Sequence, residues 1–200
     1  GVVLPRGWSP TCERHTTRNP QRQTARIYKI TFGEPEPKLV NLAEQDDAAL
    51  VKMQLHRNDW YVRHARRLLH ERCAAGNDMS EVTEQLHEMF ASQEDVTRKL
   101  RALWALQVAN GLDDDFLVSQ LSHENEYIRG WAVRLLCEVR DPPPAALERI
   151  AHLAARGDSP LVRLQISSAA QRLSAKQRWP IVEALCSRED DVEDANLPLM

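Results

Sequence analysis

The stretch Glu124-Asn-Glu-Tyr-Ile-Arg-Gly-Trp-Ala-Val-Arg-Leu-Leu136 decides the fold of this 200-residue chain. It reads as a polar helix start followed by a helix with an apolar face. The same opening pattern occurs three more times, as Asn58-Asp-Trp-Tyr-Val-Arg63, Gln93-Glu-Asp-Val-Thr-Arg98 and Asp158-Ser-Pro-Leu-Val-Arg163. The arginines of the four copies are 35, 31 and 34 residues apart. Repetition at such a period predicts structural repeats that stack on one another.

The copies agree when they are aligned on their arginines. The column six residues after the arginine holds Leu69, Trp104, Leu135 and Ala169, and the column ten residues after it holds Cys73, Val108, Val139 and Leu173. The column nine residues after the arginine is polar and holds Arg72, Gln107, Glu138 and Arg172. Offsets of six and ten, with polar neighbours, fit the 3.6-residue period of a helix. We therefore predict that each copy supplies a helix with one buried stripe, and that Trp104 and Trp131 are both buried.

The fold class that follows is an all-α superhelix of about four helical hairpins, occupying residues 41–200. The predicted helices are Leu42 to Leu55, Asn58 to Ala74, one that Ser80 caps, Asp95 to Ala109, Asp113 to Leu121, Asn125 to Val139, Ala145 to Ala155, Ser159 to Leu173 and Ala175 to Cys186. A further copy begins near Asp194, and the sequence stops within it at Met200.

Residues 1–40 have a different character. Three prolines and no periodicity predict coil over residues 1–24, and the alternating run from Arg26 to Phe32 predicts one β-strand. A lone strand needs a partner for its backbone groups, so we expect it to be the tail of a preceding β domain, followed by a linker. Cys12 and His15 are metal-ligand types, but two ligands do not close a structural zinc site, and we expect none here.

Composition narrows the function without deciding it. The formal net charge is −3, so no global field favours nucleic acid or an anionic membrane. The four cysteines are scattered without CxxC or disulfide-framework spacing, and Cys73, Cys137 and Cys186 lie at apolar helix positions, where burial is expected. No run is long and apolar enough for a membrane span or a signal peptide, and we expect the sequence to be a piece of a longer protein.

Each repeat opening pairs an acid or amide with an arginine. The acid favours the helix dipole and caps free N–H groups, and the arginine can reach an acid of the neighbouring copy. We predict that these side chains form an inter-repeat polar ladder with a structural role. Its members are Asp59, Arg63, Asp95, Arg98, Glu124, Arg129, Asp158 and Arg163.

Paired helices of this period with a D/N-x-x-x-V-R start resemble HEAT repeats over residues 42–200. A narrower resemblance rests on Ala25-Arg-Ile-Tyr-Lys-Ile-Thr-Phe-Gly33, on Asn58-Asp-Trp-Tyr-Val-Arg-His-Ala-Arg-Arg-Leu-Leu69, on Arg101-Ala-Leu-Trp-Ala-Leu106 and on Asn196-Leu-Pro-Leu-Met200. With Leu42, these segments are similar to the middle of large membrane-bound dehydrogenases, which join a sugar-dehydrogenase-like β-propeller to a HEAT region and a c-type cytochrome. The resemblance implies that the strand from Arg26 is the exit strand of the propeller and that the protein lies outside the cytoplasm.

The same resemblance implies a PQQ-like quinone and haem c in the whole protein. No catalytic residue of that family falls on this segment, and the sequence has no CxxCH for haem attachment. We expect no catalytic, cofactor-binding or metal-binding residue in this segment. The whole protein would be the oxidoreductase, with this segment as its non-catalytic middle.

Two functions compete for the segment itself. The first is a scaffold that contacts the adjacent domains or another protein through a shallow groove, lined by Arg66, Arg67, Arg101 and Arg134. The alternative is a nucleic-acid-binding module that uses the basic helix from Arg63 to Arg72, extended by Arg163 and the groove arginines. Interleaved acids and the lack of an aromatic platform between the basic residues argue against the alternative.

Overall fold

The computed structural model describes residues 32–33, 40–138, 141–157 and 159–199, and this part of the chain is helical, with no β-strand. Its α-helices are α1 (Asp47–Lys52), α2 (Asp59–Ala74), α3 (Ser80–Ser92), α4 (Val96–Val108), α5 (Asp114–Gln120), α6 (Glu126–Leu136), α7 (Pro144–Arg156), α8 (Pro160–Ala170) and α9 (Ala175–Cys186). Short 3₁₀ turns cover Leu42–Glu44, Met53–Leu55, Glu189–Asp191 and Leu197–Leu199. The predicted all-α class is confirmed for this part of the chain.

Side-chain caps explain where most of these helices begin. The side chains of Asn58, Asp95, Asp113, Asn125 and Ser159 each accept a hydrogen bond from a backbone N–H of the first helical turn. Such a cap satisfies a donor that has no partner within the helix, and it is worth about 1 kcal/mol. The acid or amide that opens the first three copies, and Ser159 in the fourth, therefore set the starts of the first-row helices.

Two helices end in left-handed residues, as the sequence requires. Gly76 follows α2 with φ 84°, and Asn110 follows α4 with φ 55°. The next N–H groups, of Asn77 and Gly111, bond back to the carbonyls of Arg72 and Leu106 at 3.1 and 2.9 Å. This closing pattern satisfies carbonyls that the helix leaves free, and glycine and asparagine tolerate the left-handed backbone best.

The helices pack in two rows. In the first row α2 contacts α4, α4 contacts α6, and α6 contacts α8. In the second row α1 contacts α3, α5 contacts α7, and α7 contacts α9. The rows are joined within hairpins, by α3 with α4, α5 with α6, and α7 with α8. Each helix of the first row thus carries one copy of the repeated opening pattern.

The core lies between the two rows. Residues from Asn41 onward form one compact unit with a single connected apolar cluster. The largest fully buried side chains are Leu50, Leu69, Leu86, Leu103, Leu106, Leu121, Ile128, Leu136, Ile150, Ile166, Ile181 and Gln54. Burial of an aliphatic side chain of this size contributes about 1.5–3 kcal/mol, so stacking of the rows holds the fold together.

Gly130 lies at a tight contact between α6 and α8. Its position is buried in α6, where an added Cβ would lie 3.2 Å from Gln165 Cγ and 3.3 Å from Leu161 Cδ2 of α8. Both distances are tighter than ordinary van der Waals contact. A larger side chain at this position would require Gln165 and Leu161 to shift.

Several predicted boundaries are corrected. The single helix expected from Leu42 to Leu55 is broken, because the Asp46 side chain caps a new start by accepting from Ala49 N at 2.7 Å. Ser80 is not the cap of α3. Its own N–H and hydroxyl donate to the Asp78 carboxylate at 3.0 and 2.5 Å, which forms a turn before the helix.

Other predictions fall outside the described residues. They include the strand from Arg26, the metal candidates Cys12 and His15, and the ladder member Asp158. Val139, at the end of one repeat column, belongs to the same group. The predicted domain boundary at residue 40 stays a prediction.

Candidate functional site

Two tryptophans from neighbouring helices of the first row meet at the surface. Trp104 of α4 and Trp131 of α6 have ring centroids 5.1 Å apart, with an angle of 66° between their planes. This edge-to-face arrangement is the favoured geometry for aromatic pairs and adds about 0.5–1.5 kcal/mol beyond burial. The pair joins two repeats by a contact that involves no backbone group.

An arginine lies on each tryptophan of this pair. The Arg66 guanidinium carbon of α2 is 5.2 Å from the centroid of the Trp104 ring, and that of Arg134 is 4.9 Å from the Trp131 ring. Contacts of this kind are cation–π interactions, worth about 0.5–1 kcal/mol at exposed sites. We call the four residues Arg66, Trp104, Trp131 and Arg134 the Arg–Trp surface.

The expected burial of the two tryptophans is wrong. Trp104 and Trp131 are both half-buried, although they pack against the edge of the core. Trp104 occupies the repeat column that is buried as Leu69 in α2, but an indole is too large to fit wholly between the two rows. The expected cost of Trp104→Ala falls accordingly, from the 3–5 kcal/mol of a buried tryptophan to about 2 kcal/mol.

The finding also overturns one argument against nucleic-acid binding. An aromatic platform between the basic residues is not visible in the sequence, because the four members of the Arg–Trp surface lie on three different helices. Folding brings the two indoles between Arg66 and Arg134. Only the register of α2, α4 and α6 reveals this interleaving.

Two features of the Arg–Trp surface carry a cost. Burial, the largest cause, lowers the pKa of the Arg66 guanidinium; Asp59 opposes this effect, while Arg101 and Arg63 add to it. Arginine still remains protonated at neutral pH. The buried Nε1–H of Trp104 has no hydrogen-bond acceptor among the described residues, which costs about 1–3 kcal/mol. Unsatisfied buried groups of this kind are rare in native structures.

The other two arginines predicted for the surface have different surroundings. Arg67 is exposed and lies 3.4 Å from Glu71 of its own helix. Arg101 is only 16% exposed, and its guanidinium donates to His56 O at 3.1 Å, Gln54 O at 3.4 Å and Asp59 Oδ1 at 3.2 Å. Arg101 therefore ties α4 to the loop before α2 and leaves little of its fork for a ligand.

The opening acids and arginines contact mostly their own repeat. Arg63 pairs with Asp59 of the same helix at 2.5 Å. Asp95 accepts from the N–H of Arg98, whose side chain reaches Gln93 Oε1 at 3.5 Å. The contact from a neighbouring repeat to Asp59 comes from Arg101, which lies three residues beyond the arginine column.

The next two copies use backbone carbonyls. Arg129 donates to the carbonyls of His123 and Glu124 at 2.9 and 2.8 Å, which fixes the turn before α6. Arg163 is nearly buried and donates to Gly157 O at 2.9 Å in the equivalent turn. These two arginines have the same turn-fixing role, which their common column indicates.

Arg163 also makes a buried ion pair that the repeat did not predict. Its Nε donates to Asp191 Oδ2 at 2.6 Å, and a second bond joins its Nη2 to Asp191 Oδ1. The exposed fractions of the two side chains are 4% and 13%. This bidentate pair fastens the segment after α9 to α8, and no motif in the sequence marks Asp191 as the partner.

Inter-repeat polar contacts do occur at other columns. Arg172 pairs with Glu138 at 2.5 Å, and Ser159 donates to Glu126 Oε2 at 2.5 Å. Arg172 and Glu138 both stand in the polar column nine residues after the repeated arginine. The pairing could have been predicted from opposite charges in successive copies of that column.

The described residues also form several clefts. A cleft of about 140 Å³ continues the Arg–Trp surface onto α8 and is lined by Arg134, Gln165, Ser168, Ala169 and Arg172. A mainly apolar cleft of about 300 Å³ lies between α9 and the last residues, beside Leu185, Val192 and Leu197. Ser167 also lines this cleft, and an ion pair between Arg188 and Asp191 lies at its edge.

The cysteines differ from one another in exposure. Cys137 is buried, Cys73 is half-buried and Cys186 is exposed, so the expected burial holds fully for Cys137 alone. Burial raises the pKa of the Cys137 thiol to about 11, while Arg172 acts in the opposite direction. Its thiolate is scarce at neutral pH, and the side chain behaves as a small apolar group.

Searches for other kinds of site give little. Within the described ranges no three His, Cys, Asp or Glu side chains come together as a metal site would need. In the same ranges no helix is both long enough and apolar enough to cross a bilayer.

The sequence matches no protein-family model, no curated protein and no solved structure. The interpretation of the Arg–Trp surface therefore rests on the contacts among its own residues.

Proposed function

We propose that this chain is a non-catalytic helical-repeat module that binds a protein partner through the Arg–Trp surface. The observation that carries the proposal is the succession Arg66, Trp104, Trp131, Arg134 across three neighbouring helices. Tryptophan and arginine are the side chains most enriched at the energetic centres of protein interfaces. Rigid half-buried indoles lose little conformational entropy when a partner covers them.

We further propose that the two rows of helices form a HEAT-like superhelix. The support is the pattern in which each first-row helix contacts the next and pairs with a second-row helix. Such stacks present one long face to partners, and successive copies add binding residues along it. The Arg–Trp surface uses three successive copies in this way.

The resemblance to membrane-bound dehydrogenases supplies a context, as a proposal. In that context the chain would hold a β-propeller and a c-type cytochrome together, in an extracytoplasmic enzyme that uses a PQQ-like quinone. The residues of this chain do not fit a covalently bound haem, because the sequence has no CxxCH. The source gene tests the context: it should encode a propeller upstream and CxxCH downstream, and flanking sequence without both would refute it.

A random-peptide phage selection tests the binding function. The wild-type chain serves as bait, and the double variant Trp104→Leu/Trp131→Leu serves for counter-selection, because leucine keeps an apolar side chain against the core. We expect enrichment of peptides that bind the wild type and not the variant, with circular dichroism showing both folded. Absence of any tryptophan-dependent binder would refute the proposed function.

Single-stranded nucleic acid is a second candidate ligand, favoured by the indoles between two guanidinium groups. Bases stack on such rings, and arginines meet the phosphates. Acidic side chains close to the surface weigh against it, because Glu71 pairs with Arg67 and Glu138 with Arg172. A labelled oligothymidine titration at low and high salt decides: tight binding that falls steeply with salt would favour this candidate.

A further inference from the structure

The Arg–Trp surface has charge only at its two ends. Arg66 and Arg134 have no carboxylate within salt-bridge distance among the described residues, unlike Arg63, Arg67 and Arg172. The two indole rings lie between the two guanidinium groups. The surface therefore presents a positive end, an apolar centre and a second positive end.

The spacing of these three parts defines what fits. Three consecutive steps of about 5 Å each lead from the Arg66 guanidinium through the two rings to that of Arg134. An extended chain advances about 3.3 Å per residue, and its alternate side chains point to the same side. Residues i, i+2 and i+4 of an extended segment thus cover a comparable length on one face.

Resting on the proposed function, we propose that the partner segment is an extended acidic peptide of the form acid-x-apolar-x-acid. The first carboxylate pairs with Arg66, the apolar side chain covers the indoles, and the second carboxylate pairs with Arg134. Each guanidinium lies over a ring, and its N–H donors match the geometry of a carboxylate in bidentate fashion. Burial of Arg66 strengthens the preference for an anion, because a partly desolvated cation gains more from a counter-charge.

A nucleic-acid strand fits the same surface less well. A strand carries a phosphate at every nucleotide and needs a continuous row of cations. Here the cations next to the surface are already paired, as Arg63 with Asp59 and Arg67 with Glu71. Two free guanidinium groups flanking an apolar centre match two carboxylates better than a chain of phosphates.

The experiment is an NMR titration of the tryptophan indole N–H signals with synthetic peptides. The test peptide is acetyl-Gly-Glu-Ser-Leu-Ser-Glu-Gly-amide. One control peptide carries lysine for both glutamates, and a second has its glutamates three residues apart, which points them to opposite sides. We expect the test peptide to shift the Trp104 and Trp131 signals and to bind at least about fivefold more tightly than either control, as one exposed charge pair would give.

Protein variants show where the peptide binds. Arg66→Gln and Arg134→Gln should each weaken binding about fivefold, as loss of one exposed charge pair would. Arg67→Gln, one residue from Arg66 on the same helix, is the matched control and should leave affinity unchanged. An equal loss in Arg67→Gln would mean unspecific attraction and would overturn the proposal.

The failure of the peptide class and the failure of the surface are distinguishable. If phage selection yields tryptophan-dependent peptides without paired acids, the acidic-peptide proposal falls and the binding function stands. If neither peptides nor selection give any binder, both fall. If oligothymidine shifts the same indole signals at lower concentration than the test peptide, the acidic-peptide proposal is replaced by nucleic-acid binding.

Discussion

Arg101 and Arg66 look equivalent in the sequence, yet substitution of each with methionine should have very different effects on stability. Methionine keeps most of the apolar stem of arginine and removes the guanidinium. At Arg101 the substitution removes bonds to His56 O at 3.1 Å and to Asp59 at 3.2 Å, together with a longer one to Gln54 O. Hydrogen bonds to charged groups contribute about 1.5–3 kcal/mol each, and partial exposure of Asp59 lowers that value. We expect Arg101→Met to lower the free energy of unfolding by about 2–3 kcal/mol.

At Arg66 the same substitution removes one cation–π contact with Trp104. That contact is worth about 0.5–1 kcal/mol, and methionine repacks part of the ring face. Urea unfolding of both variants, followed by circular dichroism, measures the two free energies with a common slope. For a unit of this size the expected melting temperatures differ by about 3–10 °C. Free energies of unfolding within about 0.5 kcal/mol of each other would refute the division into a structural and a surface arginine.

The buried ion pair, the cysteines and His123 each allow a separate test. Asp191→Asn should lower the free energy of unfolding by about 2–4 kcal/mol, because it leaves the nearly buried Arg163 without its counter-charge. As the control, Glu71→Gln at an exposed pair should change the free energy of unfolding by less than about 0.5 kcal/mol. Equal effects of the two substitutions in urea unfolding would contradict the role of the buried pair. A thiol reagent at pH 8 should label the exposed Cys186 quickly and Cys137 only on unfolding, because burial raises the pKa of the Cys137 thiol to about 11. Mass spectrometry of the labelled peptides measures both rates, and rapid labelling of Cys137 in the folded chain would contradict its burial. Burial is the largest cause that lowers the pKa of His123; Lys99 and Arg129 add to it, and Glu124 opposes it. The folded state therefore binds this proton less readily than the unfolded state, and stability should fall as pH drops below about 6.5. His123→Asn should flatten that pH dependence in thermal melts, and an unchanged slope would remove His123 as its source.

The helices were largely readable from the sequence because local chemistry sets them. The caps at Asn58, Asp95 and Asn125 and the period of the apolar columns mark each first-row helix within a few residues. The break at Asp46 was missed because an acidic residue within an apolar pattern looks like a solvated position. In the folded chain its carboxylate accepts a hydrogen bond from the N–H of Ala49 and caps α1.

The candidate site was only half readable. Arg66 and Arg134 stood out as arginines on the predicted exposed face, but so did Arg67 and Arg101. What separates them is the group that each one contacts: an indole for the first two, a carboxylate of its own helix for Arg67, and backbone carbonyls for Arg101. The contacts of Arg66 and Arg101 cross to a neighbouring element, so they depend on the rotation of each helix against the next, which a column of apolar residues fixes too coarsely. The Arg163–Asp191 pair could not be predicted from the repeat, because Asp191 lies outside it.

The most direct measurement of the central claim compares binding with stability in the double variant Arg66→Gln/Arg134→Gln. Peptides from the phage selection are titrated against the wild type, the double variant and the control Arg67→Gln. We expect the double variant to lose at least about tenfold in affinity while its free energy of unfolding changes by no more than about 1–2 kcal/mol. Arg67→Gln should match the wild type in both quantities. Unchanged affinity in the folded double variant would contradict the assignment of the Arg–Trp surface as the binding surface.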